Sequence, residues 1–280
     1  MYSHMYMLCE FPGCHIRMPV RVQKNAATRS KLSHPASGDH ATRLSGIRML
    51  KKIVVINSKG GCGKTTLSTN LAGYYAANGY PTALFDYDPQ DSAARWLNHR
   101  SSELPPIHGV AAAHAPAEGI TRSFQLRLPP ETQRLVLDTP ASLKRMELIE
   151  ILRNATAIIV PILPSTIDSH VTANFVQDLR TEIRMHAPNA PVAIVANRVR
   201  RNTRAFHALL GFLEARDMTP VTCLRDSQNY VHAAAGGVGI HELNANLTRI
   251  DREHWQPLID WLESPQGHAG ITPEIQRVTA

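Results

Sequence analysis

The sequence is poor in features that would tie it to a membrane or to an oxidising compartment. Its 280 residues contain no apolar run long enough to cross a bilayer, since the longest such runs are strand-sized. Only four cysteines occur, Cys9, Cys14, Cys62 and Cys223, without the even spacing of a disulfide framework and with no secretory apolar segment ahead of them. A reduced, cytoplasmic setting is the expectation. Aromatic residues make up 6% and charged residues 19% of the chain, against 43% hydrophobic residues. That is the balance of a globular protein with a sizeable core rather than of a fibrous or disordered one. Acidic residues are also short, at 23 against 30 Lys and Arg, for a net charge of +7. Of this excess, +5 falls within residues 1–48, where seven basic residues face Glu10 and Asp39. The body is thus only mildly basic, and nucleic-acid binding requires a local patch rather than a high overall pI.

Residues 1–48 lack both helical and strand periodicity and are rich in Arg, Ser, His, Thr and Pro, which predicts a disordered basic extension. Three readings stay open for it: an upstream extension of a chain whose natural start is Met49, a basic tail for polyanions, or a targeting peptide. The first is preferred, because Met49 directly precedes the first buried run. Cys9, Cys14 and His15 lack a partner pair for a metal. From Lys51 short β-branched runs alternate with amphipathic stretches. Strands are expected at 53–56, 82–85, 107–110, 135–137, 157–160 (closed by Pro161), 192–195 and 220–224. Helices are expected near 64–78, 92–99, 168–186, 202–215, 227–235 and 253–262. This alternation predicts an α/β, doubly wound, mainly parallel twisted sheet flanked by helices over residues 49–264, with a flexible tail at 265–280.

Chemistry concentrates at Lys59-Gly60-Gly61-Cys62-Gly63-Lys64-Thr65-Thr66, between a buried strand and a helix. Glycines there let backbone N–H groups turn inward on phosphate oxygens, and the helix adds its positive end. Lys64 is placed to reach the β- and γ-phosphates and Thr65 to coordinate Mg²⁺. A plain packing turn does not call for Lys-Thr at this point. Two further boxes follow. Asp86-Tyr87-Asp88-Pro89-Gln90 ends the second buried strand, at the sheet end where an open α/β sheet binds ligands. Alone it also reads as a helix-capping turn. Asp138 ends the apolar run Leu135-Val136-Leu137, the position of a metal-holding carboxylate. Asn197 ends another buried run.

The octet resembles the deviant Walker A box of the ParA/MinD family of P-loop ATPases, in which an extra lysine, here Lys59, closes the partner's site across a nucleotide-sandwich dimer. The resemblance covers about residues 51–262 in motif order. It implies ATP and Mg²⁺ as cofactors. Lys59, Lys64 and Asp88 would be catalytic, with Asp88 positioning or activating the attacking water. Gly60, Gly61, Cys62, Gly63, Lys64, Thr65 and Thr66 would bind nucleotide, with Asn197 contacting adenine. Thr65, Asp86 and Asp138 would serve the metal. One departure is Asp91, where the family usually has Gly.

Within the family, the missing cysteine pairs disfavour iron–sulfur relatives, and residues 271–280 lack a basic amphipathic membrane helix. The ParA branch fits best. It implies an ATP-dependent homodimer that binds DNA without sequence preference and is nucleoid-associated in that state. A ParB-like partner would stimulate slow hydrolysis. Arg198, Arg200, Arg201 and Arg204, with Arg225 after the next strand, form the candidate DNA patch, although a charge run is also the usual mark of a solvated helix face. Plasmid, chromosome origin, carboxysome and chemosensory cluster all remain open as cargo. The alternative role is a MinD-like regulatory ATPase acting at a membrane or protein complex without DNA.

Overall fold

A computed structural model describes residues 5–8, 17–20 and 50–264, with the side chains of 5–8, 17–20, 166–171 and 173 excepted. In the N-terminal unit, strands β1 (Met5–Leu8) and β2 (Arg17–Val20) pair antiparallel. The sequence reading has no counterpart for this pair. The other residues of 1–48, and the tail 265–280, lie outside the described residues.

The second unit is built on seven parallel strands: β3 (Lys51–Val55), β4 (Thr82–Asp86), β5 (Ile107–Ala111), β6 (Arg134–Asp138), β7 (Ala157–Ile162), β8 (Val192–Val199) and β9 (Pro220–Arg225), in the spatial order β5-β4-β6-β3-β7-β8-β9. Both faces are covered by helices, which is why the central strands carry consecutive apolar residues, such as Ile53-Val54-Val55 and Leu135-Val136-Leu137, rather than alternating ones. Alternate residues feed two cores. Val54, Leu135, Leu137, Ile158 and Val160 meet one core, shared with α4 (Arg145–Leu152), α5 (Thr166–His186) and α6 (Arg204–Glu214). Ile53, Val55, Leu84, Val136 and Ile159 meet the other, shared with α1 (Lys64–Ala77), α2 (Ser92–Asn98) and α8 (Ala245–Glu263). The order reverses at β3, with β6 on one side and β7 on the other. A crevice for ligand belongs at the C-terminal end of that strand.

The sheet and its order of elements agree with the sequence reading, and three details differ. The strand expected to close at Pro161 runs on to Ile162. Ile159 and Pro161 point toward β3, and there Pro161 O accepts from the Asn57 side chain. The N–H that proline lacks faces a strand that has already ended, so no ladder bond is lost. Helices α3 (Arg122–Gln125) and α4 come from stretches without clear period. α8 begins eight residues before the expected start and has Pro257 within it. Its first turns bury Thr248 and Asp251 instead of apolar residues, which hides the helical stripe. α7 (Gln228–Ala235) packs Tyr230 against the same core as α8.

Candidate functional site at the sheet's C-terminal edge

The octet forms the turn from β3 into α1. Gly61 and Gly63 have φ of +73° and +97°, the left-handed region that glycine alone enters without strain. A Cβ on Gly63 would also collide with the Asn197 amide. The loop is braced from several sides. Asn57, completely buried, donates to Pro161 O (2.6 Å) and Thr172 Oγ1 (3.1 Å), and its Oδ1 accepts the Lys59 N–H at 2.9 Å. Asn197 Nδ2 donates to Cys62 O at 2.9 Å, and its Oδ1 accepts from Arg198 N. Lys64 is buried and donates to Lys59 O at 3.0 Å, where the Cys62 thiol also donates. Burial pushes that thiol's pKa up. In this conformation the loop's own carbonyl holds the Lys64 ammonium that a phosphate would otherwise engage.

Asp138 ends β6 behind the loop, completely buried. Its Oδ1 accepts from Ser68 Oγ at 3.1 Å, and its Oδ2 has no hydrogen-bond partner among the described residues. Burial raises its pKa to about 7, against the lowering effect of the nearby Thr65 and Ser68 hydroxyls. A bare, buried carboxylate oxygen with the Thr65 hydroxyl nearby fits a hard divalent cation with oxygen ligands, while the positive N-terminal end of α1 suits the phosphates. Thr139 Oγ1 ties the adjoining turn to Val55 O at 2.9 Å.

Asp86 is used differently. Its Oδ1 accepts from Asp88 N at 3.0 Å, and its Oδ2 accepts from Ala93 N and Ala94 N at 2.9 Å each, so it fastens the start of α2 to the end of β4. Burial raises its pKa. Asp88 closes the turn above it, with Oδ1 accepting from Gln90 N at 3.0 Å. Asp91, at φ +51°, shows why glycine suits this position. Its carboxylate meets His114 Nε2 at 2.8 Å. A cleft of about 620 Å³ opens beside Asp88, bounded by Tyr87, Ala112, Pro140, Lys144 and Glu147.

The five arginines are not equivalent. β8 slips register between Ala196 and Val199, and Arg198 takes φ +51° in that irregularity, exposed. Val199 and Arg225 are register partners, so the two arginine-bearing strand ends are adjacent, as the sequence reading required. Arg200 is held by Asp226 at 2.6 Å, and Arg225 by the buried Asp251 at 2.6 and 2.9 Å. Arg201 is half-buried, with Nη2 3.4 Å from His254 Nε2. Arg204 opens α6 and is exposed. Arg198 and Arg204 have no ion pair among the described residues.

Sequence reasoning missed Asn57, Ser68 and Thr139. Each is one polar side chain in an otherwise apolar strand end or helix face, and that was the available signal.

Comparisons with known proteins agree with this geometry. The chain is 28% identical over 195 residues to the maintenance of carboxysome distribution protein A of Halothiobacillus neapolitanus, covering 69% of this chain and 88% of that protein. It is 28% identical over 137 residues to the chromosome-partitioning ATPase Soj of Thermus thermophilus, 40% of this chain and 55% of that one. Its fold matches the ATP complex of McdA from Cyanothece with a TM-score of 0.53 at 18% identity, over 75% of this chain and 96% of that chain. The family model for the CobQ/CobB/MinD/ParA nucleotide binding domain matches residues 53–221, more than half of the sequence. With a deviant phosphate loop at the reversal point of a parallel seven-stranded sheet, the chain belongs to that ParA/MinD family of nucleotide-binding proteins.

Proposed function

We propose that the protein is a Mg²⁺-dependent ATPase of the ParA type, which dimerises on ATP, binds DNA without sequence preference in that state, and positions a cargo through a partner protein. The observation that carries the reading is the loop and its backing: Lys59 and Lys64 on one tight turn, with the buried Asp138 behind them, one of its oxygens bare. Backbone N–H groups of 60–66 would cradle the phosphates, and Lys64 would exchange the Lys59 carbonyl for phosphate oxygens. Thr65 and Asp138 would hold Mg²⁺, which neutralises charge on the phosphoryl group. Asp86 supports this from behind by fixing the turn that carries Asp88. Asp88 would orient the attacking water and accept its proton. Lys59 of each subunit would close the partner's site, adding positive charge where the transferring phosphoryl group carries negative charge. Asn197 would border the base while bracing the loop.

The DNA-facing surface is proposed at the joined ends of β8 and β9, led by Arg198 and Arg204. Arg200 would join by releasing the exposed Asp226. Arg201 lies deeper at the same edge, and Arg225 serves chiefly to hold Asp251. The relationship to a carboxysome-distribution protein favours a protein assembly as cargo, with a plasmid or chromosome as the second choice, supported by the relationship to Soj. No helix among the described residues is long and apolar enough to cross a membrane.

Sedimentation of an Asp88→Ala variant tests the switch. The expected result is monomer with ADP and dimer with Mg²⁺ and ATP, with phosphate release by the wild type only. Monomer in every nucleotide state, from a protein that binds ATP, would overturn the dimer reading.

A further inference from the structure

Ser68 lies on the polar wall behind the phosphate loop and is assigned no role by the motif or by the resemblance. It is four residues past Lys64 on α1, and its side chain is completely buried. Its Oγ is 3.0 Å from Lys64 O and 3.1 Å from Asp138 Oδ1. A hydroxyl has one proton, so it donates fully to only one of these at a time. Lys64 O already receives the helical N–H of its own turn, and an ionised carboxylate is the stronger acceptor. With Asp138 charged, the hydroxyl therefore turns to Oδ1.

That leaves Oδ2 of the same completely buried carboxylate without a hydrogen-bond partner among the described residues. A buried anionic oxygen left bare is costly, and it is tolerated where a ligand is to fill the place. Two explanations compete for Ser68. In one it merely bonds back to its helix, as buried Ser and Thr commonly do. In the other it holds one carboxylate oxygen so that the opposite one is always the one presented. Complete burial of both groups, and the asymmetry between the two Asp138 oxygens, favour the second.

We propose that Ser68 is a positioning residue for the divalent cation: it fixes the rotation of the Asp138 carboxyl group through Oδ1 and reserves Oδ2 for the metal. The inference rests on Asp138 as the metal carboxylate. It assigns Ser68 no contact with nucleotide or with reacting atoms. Partners that orient a metal ligand in this way typically change metal affinity by about 10- to 100-fold when removed.

The test uses the full chain and a fluorescent ATP analogue, titrated first in EDTA and then with increasing Mg²⁺. Ser68→Ala should bind the analogue in EDTA within about twofold of wild type, yet need about tenfold more Mg²⁺ for the half-maximal metal response. Ser68→Cys, of similar size but a weaker donor, should fall between them. Asp138→Asn should lose the Mg²⁺ response altogether. If Ser68→Ala weakens binding equally with and without Mg²⁺, its role is structural and the proposal is overturned. If its Mg²⁺ response is unchanged while that of Asp138→Asn is lost, Ser68 is not a positioning residue and the metal site stands. If Asp138→Asn also responds as wild type does, the metal reading itself falls, and the role of Ser68 falls with it.

Discussion

The two ends of the sheet's C-terminal edge treat charge in opposite ways. At the centre, where β3 and β6 end, charged groups are buried and incompletely satisfied: Lys64 rests on a carbonyl of its own loop, and Asp138 has a bare oxygen. At the β8–β9 side, five arginines crowd a short stretch, yet two of them already hold acids of this chain, Asp226 and Asp251. A group left unsatisfied inside a protein calls for a ligand. A count of surface charges says little until the partners are known, because an internal carboxylate neutralises an arginine as well as a phosphate does. The centre is therefore the stronger functional assignment, and the arginine edge is a smaller binding surface than its composition suggests.

The largest effect should come from the centre. Lys64→Ala should weaken ATP binding by about three orders of magnitude, roughly 4 kcal/mol, with thermal stability close to wild type; titration calorimetry and a melting curve check both. Near-normal affinity would erase the contrast between the two ends.

The next effect is on stability at the arginine edge. Arg225→Ala strands the carboxylate of Asp251, whose side chain is fully buried and keeps Asn229 as its one side-chain donor among the described residues. The pair is partly exposed on the arginine side, so about 2–3 kcal/mol is expected, read as a lower urea midpoint. DNA binding by the folded variant should change little in its salt dependence. A steep loss of that dependence without destabilisation would make Arg225 a DNA contact after all.

Acid should act on the body that joins the two ends. Burial lowers the pKa of His241 to about 4 and also lowers that of His254. At these two histidines the unfolded chain binds more protons below pH 6.5, so their contribution to stability falls as pH drops from about 6.5 toward 4, while the raised pKa of Asp138 acts in the opposite sense over the same range. For His241 the loss is roughly 2–3 kcal/mol, and the urea midpoint of His241→Asn should rise relative to that of wild type as pH falls through that window.

The smallest expected effects sharpen the edge itself. Arg198→Ala and Arg204→Ala should each weaken nonspecific DNA binding modestly and reduce the slope of log affinity against log salt by about 0.9. Neither should move the melting temperature by more than about 2 °C.

The central strands could be read from the sequence because strands buried on both faces are apolar throughout, as in Ile53-Val54-Val55-Ile56. The phosphate loop could be read because its glycines and lysines have few other uses together. The start of α8 could not, since its buried face includes the polar Thr248 and Asp251, and the partner of Asp251 is distant in sequence. α4 is short, with four of its eight residues exposed and only its last two, Ile151 and Leu152, buried, which leaves little periodicity. Asn57 and Ser68 each show in the sequence only as a lone polar residue, because the groups that give them a role, Pro161 and Thr172 for one and Asp138 for the other, are brought to them by the fold. The pairing of Arg225 with Asp251, 26 residues away, is likewise a product of the fold.

The most direct test of the account is binding of random-sequence DNA by the Asp88→Ala variant, with Mg²⁺ and ATP and with ADP, across a salt series. Binding only with ATP, weakening steeply with salt and lost with Lys64→Ala, is the predicted result. Equal DNA binding in both nucleotides, or none in either, would contradict the coupling of the central site to the arginine edge.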